Sequence, residues 1–250
     1  MGRDELLSVL LAAAPPKIAS SIMHIPHLHD WPKTEAEAVE LQNQFAGRVD
    51  VSPELTTFDF VAGCDIAYHL TEPILFAAVV VVRVSDRAVI ETRTTTKEVN
   101  FPYIPGLLSF REIPALLTAF TELRHSPNAV MLDGQGIAHP RRFGLACHLG
   151  LWLGLPCLGC AKSWLIGDYS EPGPEAGDAT PLTVGDEVVG SVMRSAAGAN
   201  PVFVSPGHLI DIASANAVVR ATLSGYRHPT PTREAHMAAN ALRQEFRASS

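Results

Sequence analysis

Apolar and polar residues recur with two different periods along this chain of 250 residues, and the period changes near Thr57. Before that position, apolar residues are spaced three and four apart from about residue 34 to residue 47, which is the spacing of one helix face. Thr34 and Glu37 have the spacing of a capping box at the start of this stretch. The pattern therefore predicts a helix over about residues 34–47.

Beyond Thr57 the chain contains three β-rich runs, which read FDFVAGCDIAY, ILFAAVVVVRV and AVIETRTTTKEV. The last two are joined by a tight turn at Ser85, Asp86 and Arg87. Runs rich in β-branched residues and bounded by turn residues are typical of strands. These three predict an antiparallel meander.

Helices and strands are then predicted to alternate. The predicted order is a helix over about 111–124, the strand NAVMLD, a helix over about 140–154 and the strand PCLGCAKS. A polar loop rich in proline and glycine follows over 168–186, then the strands DEVVGSVMR and PVFVSPG, then helices over about 208–223 and 232–246. A meander followed by alternating elements predicts an α/β fold, in which a mixed sheet carries helices on both faces.

The first 30 residues lack a long periodic pattern and are predicted to form a flexible tail, followed by one domain over residues 31–250. Asp4 and Glu5 precede a short Leu/Ala run, which favours a frayed helix over a signal peptide because a signal peptide begins with positive charge. Histidines 24, 27 and 29 flank Pro26 without an anchoring cluster of carboxylates, which favours unstructured chain over a metal site.

Composition limits the class of protein. The chain is 47% hydrophobic and 18% charged. It contains no uninterrupted apolar run of about 18 residues, so no membrane span is predicted. Four cysteines are too few for a disulfide framework, which fits a reducing cytoplasm. Cys157 and Cys160 have CxxC spacing, but no second ligand pair follows, so they are predicted to be small apolar residues of a buried strand.

The net charge of −7 argues against a protein that coats DNA by bulk attraction. A nuclease with a local basic groove remains compatible with it. Basic residues do gather near the segments that carry candidate chemistry, although a scattered solvated surface is the alternative interpretation: Arg93, Lys97, Arg111, Arg141, Arg142, Lys162, Arg227 and Arg233.

Three acidic residues stand out by position, two of them in or at the end of core strands, where an unpaired charge is expensive. Asp65 lies within the first predicted strand, Asp133 ends the strand AVMLD, and Glu112 opens the helix between them. Each has an ordinary structural alternative, as a capped strand end, an Asp-Gly turn or a helix-start acid. If the two strands are parallel neighbours, however, the aspartates lie side by side and the helix adds Glu112. Such a cluster of oxygen ligands suits Mg²⁺ or Mn²⁺.

The residues after Asp133 read GQGIAHPRRFG. Gly134 and Gly136 permit close approach of a phosphate, and His139, Arg141 and Arg142 supply donors. A dinucleotide-binding loop is disfavoured because His139 occupies the position of the third glycine.

The segment NFPYIPGLLSFRE sets Tyr103 between Pro102 and Pro105. Two prolines fix the backbone and make the turn stiff. Its ring could fill a core, the commoner fate of an aromatic residue, or could act as a rigid wedge.

Six blocks of the sequence occur in the order and spacing of the endonuclease V family, and the resemblance extends from about Trp31 to about Asn240. They are GCDIAY, PYIPGLLSFRE, LDGQGIAHPRRFGLACHLG, GCAKSWLIG, VSPGHLIDIASA and YRHPTPTREAH. The resemblance implies a ribonuclease H-like fold. It also implies roles for individual residues. Asp65, Glu112 and Asp133 resemble the metal ligands of the family, with His236 nearby, and Lys162 resembles the lysine near the scissile phosphate. His139 resembles a histidine beside the active site, and Tyr103, with Pro102 and Ile104, resembles the wedge beside a flipped hypoxanthine.

The activity implied by this resemblance is Mg²⁺-dependent hydrolysis, with Mn²⁺ as a substitute, of the second phosphodiester bond 3′ to deoxyinosine in DNA, leaving 3′-hydroxyl and 5′-phosphate ends. Inosine in RNA is a further expected substrate, and the protein is expected to be a monomer without membrane contact. Two alternatives remain open: a ribonuclease H-like nuclease for flaps or junctions, and a non-catalytic binder of nucleic acid.

Overall fold

The computed structural model describes residues 23–249, and the strands within them form one mixed sheet of nine strands. The strands are β1 (Phe60–Tyr68), β2 (Ile74–Arg83), β3 (Val89–Glu98), β4 (Ala129–Leu132), β5 (Cys157–Ala161), β6 (Asp168–Tyr169), β7 (Ala179–Val184), β8 (Glu187–Met193) and β9 (Val202–His208). The helices are α1 (Glu35–Ala46), α2 (Leu108–Thr121), α3 (Leu145–Leu153), α4 (Ile212–Ala221) and α5 (Thr230–Ser249).

The order of strands across the sheet is β3-β2-β1-β4-β5-β9-β8-β7-β6. The first three strands form the predicted antiparallel meander, and β1, β4 and β5 are parallel neighbours. Cys64 of β1 is in register with Leu132 of β4. Asp65 and Asp133, the next residue along each strand, are therefore side by side, as predicted.

Helices cover both faces of the sheet because β2 is apolar on both sides. Its odd-numbered residues, such as Val79, pack in one core cluster with residues of α2 and α3. Its even-numbered residues, such as Val80, pack against α5. Helix α4 packs on apolar side chains of β4, β5 and β9 in a further core cluster. The predicted fold class, a ribonuclease H-like mixed sheet with helices, is confirmed.

The first described helix begins as the sequence predicts. The Thr34 side chain accepts from the Glu37 backbone amide, and the Glu37 carboxylate accepts from the Thr34 amide. The segment before it lacks regular secondary structure, but His29 is only 8% exposed and packs among aromatic rings, with its Nε2 2.7 Å from Nε2 of His148. The predicted frayed helix and most of the predicted tail lie outside the described residues.

Several predicted helices begin at different residues; α4, for example, begins at Ile212 instead of about residue 208. Helix α2 begins at Leu108, three residues before the predicted start, and no side chain caps it. Helix α3 begins at Leu145 instead of residue 140. Arg142 has a φ of +54°, in the left-handed region, so a right-handed helix cannot run through it.

The predicted loop over 168–186 is wrong, because it contains β6 and β7. Strand β7 includes Pro181, which lacks an N–H for the sheet, and the two-residue strand β6 pairs only with Thr183 and Leu182. Proline is tolerated there because pairing between β6 and β7 ends at Leu182, so Pro181 has no strand partner on the β6 side. Burial of Leu182 fixes the strand against the core.

Cys157 and Cys160 are buried free thiols within β5, as predicted, and Cys64 and Cys147 are also buried and free. Burial raises the pKa of all four thiols. Over residues 23–249, none of the helices combines the length and the apolar character that crossing a membrane requires.

Candidate active site

The three predicted acids meet in an open cleft of about 590 Å³ at the carboxyl ends of β1 and β4. Most of the other predicted site residues line the same cleft: Tyr103, Ile104, Gly134, His139, Lys162 and His236. Parallel strands place the side chains that follow their carboxyl ends at one edge of the sheet, which is where open α/β sheets bind ligands. The fold thus brings together residues that are far apart in sequence.

Asp65 points toward α5, whose first turn is packed directly on β1. A Cβ added to Gly63 would lie 2.0 Å from the Pro231 carbonyl oxygen, so only glycine permits this approach. The approach brings His236 Nδ1 to 2.7 Å from Asp65 Oδ2. Asn240 Nδ2 lies 3.1 Å from the other ring nitrogen. With Asn240 as donor to that nitrogen, the ring carries its proton on Nδ1 and donates it to Asp65.

Glu112 reaches the cleft from α2, on the other face of the sheet. It is 6% exposed, and Tyr68 donates a hydrogen bond of 2.7 Å to its Oε1. Burial, together with the charges of Asp65 and Asp133, raises the pKa of Glu112 to about 8, although the Tyr68 hydrogen bond works in the opposite direction. Burial and the Asp133 charge likewise raise the pKa of Asp65. The three acids therefore repel one another where they meet.

Asp133 follows β4 and is paired with Lys162, which follows β5. The Lys162 Nζ lies 2.6 Å from Asp133 Oδ2, and both side chains are largely but not completely buried. This ammonium group places a positive charge among the three acids. A buried charge needs such a partner, because an uncompensated one would be strongly destabilising.

The donor set fits a hard divalent cation, since Asp65, Glu112 and Asp133 all border a small cavity of about 30 Å³. A cavity of that size has room for an atom-sized guest. Within residues 23–249, however, no three His, Cys, Asp or Glu side chains are placed to hold an ion as they stand. Each carboxylate is turned instead to its own partner.

Tyr103 is 69% exposed on the rim of the cleft, so the interpretation of its ring as core filling is wrong. The turn that carries it is fixed through the Gly106 carbonyl oxygen. That oxygen accepts from Gln42 Nε2 at 2.9 Å, from Arg141 Nη2 at 3.0 Å and from His139 Nε2 at 3.0 Å. Because the Arg141 Nε group also donates to Gln42 Oε1, the side chains form a closed network.

The structure gives several predicted substrate residues other contacts. Gly136 donates its N–H to Ser205 Oγ at 2.7 Å, and a Cβ there would lie 2.0 Å from the Pro206 carbonyl oxygen, so its glycine serves packing against β9. Arg142 pairs with Glu187 at 2.6 Å. Gly136, Arg141 and Pro102 are absent from the residues that line the cleft within the described chain.

Sequence reasoning missed Tyr68, Gln42 and Trp164. Gln42 carried a signal, because it is a polar residue at helical spacing from Ala38 on the apolar face of α1, and it is 1% exposed. Tyr68 carried none, since only the three-dimensional fold shows that its hydroxyl meets Glu112. Trp164 lies in the block GCAKSWLIG, but the sequence does not show that its side chain is exposed on the cleft.

A ribonuclease H-like sheet that presents three acids and a lysine in one open cleft defines a nuclease of the ribonuclease H-like class. The chain belongs to the endonuclease V family, whose sequence model matches residues 43–237.

Similarity to individual proteins extends over most of the chain. An endonuclease V of Dehalococcoides mccartyi is 44% identical over 218 residues, which are 87% of this chain and 98% of the relative. The crystal structure of endonuclease V from Streptomyces avermitilis is 41% identical, with a TM-score of 0.82 over 90% of this chain and all of that one. A Ciona intestinalis endonuclease V in complex with a 24-mer DNA containing an inosine is 24% identical and shares the fold, with a TM-score of 0.75 over 84% of this chain and 98% of that one.

Proposed function

We propose that this protein is a DNA repair endonuclease that recognises deoxyinosine and hydrolyses the second phosphodiester bond 3′ to the lesion, leaving 3′-hydroxyl and 5′-phosphate ends. Inosine in RNA is a further substrate in this proposal. The observation that carries it is the meeting of Asp65, Glu112, Asp133 and Lys162 in one cleft whose rim bears the exposed ring of Tyr103. Family membership and the inosine-containing DNA of the Ciona protein support the choice of substrate.

Asp65, Glu112 and Asp133 are the residues that would hold the metal, Mg²⁺ with Mn²⁺ as a substitute. A bound divalent ion of this kind supplies an activated water and stabilises the leaving oxygen in phosphodiester hydrolysis. Glu112, whose pKa is about 8, is the acid that must give up a proton to become a ligand near neutral pH. Its Tyr68 hydrogen bond stabilises the ionised form.

Lys162 orients the scissile phosphate. Its ammonium group lies 2.6 Å from Asp133 Oδ2, so it stands where a phosphate would approach the carboxylates. A compact cation there offsets the repulsion between phosphate and acids. His236, hydrogen-bonded to Asp65, holds that carboxylate in place from α5.

Recognition requires the base to leave the stack, and this step costs least for a poorly paired base such as hypoxanthine. A cleft of about 590 Å³ can accept a purine. The Tyr103 ring, on a turn fixed by its prolines and by the Gly106 carbonyl network, would fill the gap in the helix.

We also propose that residues 31–250 act as one catalytic domain, that the protein works as a monomer, and that it resides in the cytoplasm. Support comes from the cleft, whose lining joins residues from Gln42 to His236 of one chain, and from the four free buried thiols.

A nicking assay tests the proposal. Labelled strands containing deoxyinosine, inosine in RNA, no lesion, or a flap are incubated with Mg²⁺, with Mn²⁺ or with EDTA, and product ends are mapped. We expect cleavage at the second bond 3′ to inosine that requires the metal. Preferential cleavage of the undamaged flap would favour the structure-specific nuclease, and binding without cleavage under any metal would favour the non-catalytic binder.

A further inference from the structure

Trp164 is a large apolar side chain that the fold leaves exposed beside the acids. It is 56% exposed and lines the cleft together with Tyr103. It follows the carboxyl end of β5, two residues after Lys162. Leu165 is also exposed on the same lining, so the cleft wall carries three exposed apolar side chains, and an exposed apolar patch of this kind marks a binding surface.

The indole is held at one edge. Its Nε1 donates a hydrogen bond of 2.8 Å to the carbonyl oxygen of Gly167, three residues further along the same loop. This bond satisfies the polar group of the ring and restricts its orientation, while more than half of the residue stays accessible. A restricted ring with a satisfied N–H loses little conformational entropy when a flat partner stacks on it.

We propose that Trp164 is a second stacking platform, which holds an unpaired nucleobase of the bound strand on the Lys162 side of the cleft. This inference rests on the proposed function, because it requires a nucleic-acid strand in the cleft. A nucleobase is the partner that the surroundings favour: Lys162 supplies a cation for its phosphate, and the ring supplies a face for its base. Tyr103 and Trp164 would then contact the strand at two separate points of one cleft.

Tryptophan fluorescence gives a readout that does not depend on cleavage. The other two tryptophans, Trp31 and Trp152, stack on each other with their ring centroids 5.3 Å apart, outside the cleft lining. Single-stranded oligonucleotide without inosine is titrated in EDTA into wild type, Trp164→Phe and Trp164→Ala. Tyr169→Ala is the matched control, because Tyr169 is an exposed aromatic residue that does not line the cleft and packs on Phe203.

We expect quenching in wild type that is lost in both Trp164 variants, which still emit from Trp31 and Trp152. By anisotropy of a labelled oligonucleotide, Trp164→Ala should weaken binding roughly 5- to 150-fold, while Trp164→Phe stays within a few-fold of wild type. Tyr169→Ala should bind as wild type.

Three outcomes separate the possibilities. Wild-type affinity in a folded Trp164→Ala protein would overturn the stacking platform, and so would an equal loss in Trp164→Phe. If wild type fails to nick inosine strands but the Trp164 quenching and affinity loss persist, the proposed function fails and the stacking platform stands. Circular dichroism of each variant establishes that it is folded before the affinities are compared.

Discussion

At the scale of single residues, each acid in the cleft has a different hydrogen-bond or ion-pair partner. Asp65 accepts from His236, Asp133 pairs with Lys162, and Glu112 accepts from Tyr68. The sequence showed where the acids lie, because a charge inside or at the end of a core strand is conspicuous. It could not show their partners, since a hydrogen bond between β1 and α2 depends on how the helix crosses the sheet.

Replacing Asp133 tests the role of the acids. Asp133→Ala should lower the nicking rate in Mg²⁺ by about 10² or more, because a lost ligand misplaces the ion and frees Lys162 from its partner. Binding of inosine duplex should persist, since removing an acid reduces repulsion of phosphates. The matched control is Asp86→Ala, which removes an exposed aspartate paired with Arg83. Near-normal nicking by Asp133→Ala would contradict the assignment.

His139 predicts a pH dependence of stability. Burial, and then the Arg141 charge, lowers the pKa of His139 to about 4. Its Nε2 donates to the Gly106 carbonyl and its Nδ1 accepts from the Arg141 amide, so a second proton has no acceptor. Between pH 6.5 and pH 4 the unfolded chain therefore binds more protons than the folded one, and stability falls as the pH falls.

His139 should lower the free energy of unfolding by about 3 kcal/mol at pH 4 relative to pH 7. Urea unfolding of wild type and His139→Gln at several pH values measures it. The variant should be less stable at pH 7, and the difference between the two proteins should shrink by about that amount as the pH reaches 4. Parallel curves for the two proteins would show that His139 carries no such linkage.

At the scale of elements, α1, the Tyr103 turn and the loop after β4 are joined at the Gly106 carbonyl oxygen. Most elements were predicted, because long periodic segments dominate the pattern. Their ends were not: α2 begins without a side-chain cap, and Pro181 concealed β7. Both depend on contacts that only the folded chain makes: Gln42 and Arg141 fix the turn before α2, and β7 pairs with β8.

The joined elements predict that Gln42 acts as a positioning residue for Tyr103. Tyr103→Ala should weaken binding to inosine duplex by about 5- to 150-fold, since stacking is worth roughly 1–3 kcal/mol per base. Gln42→Leu should reproduce part of that loss, because the Gly106 carbonyl loses one of its three donors, the Phe143 carbonyl loses its Gln42 donor, and the Arg141 Nε group loses its acceptor. Gln42→Glu keeps an acceptor for Arg141 but no donor, and should fall between wild type and Gln42→Leu.

The measurement is the ratio of affinities for inosine-containing and undamaged duplex, with EDTA present. Tyr103→Phe is the control, because the exposed ring stacks whether or not it carries a hydroxyl. A general weakening of the fold would lower both affinities together and leave the ratio unchanged. If Gln42→Leu keeps the wild-type ratio while Tyr103→Ala loses it, the network does not position the ring.

At the scale of the whole molecule, an acidic protein must bind an acidic polymer. The chain carries a net charge of −7, and many of the basic residues that gather near the site are already engaged by protein groups. Arg142 pairs with Glu187, Arg93 with Glu91, and Arg227 donates to three backbone carbonyls. The sequence showed the basic residues but not their partners, so it suggested more phosphate contacts than the structure leaves free.

Salt dependence measures how many phosphate contacts remain. The logarithm of the affinity for duplex should fall linearly with the logarithm of the salt concentration, with a slope of about 0.9 per phosphate neutralised. Lys162→Ala should reduce the slope by roughly one, because its ammonium group stands among the acids where the scissile phosphate would lie. Arg83→Ala is the matched control, since Arg83 is an exposed arginine that pairs with Asp86 at the opposite end of β2 from the cleft. Its slope should equal that of wild type.

The titrations are run in EDTA, which prevents cleavage, between about 50 and 200 mM salt, the range over which such contacts change the affinity measurably. A wild-type slope indistinguishable from zero would mean that shape and stacking hold the strand without phosphate contacts. An unchanged slope in Lys162→Ala would instead place the phosphate contacts elsewhere on the surface.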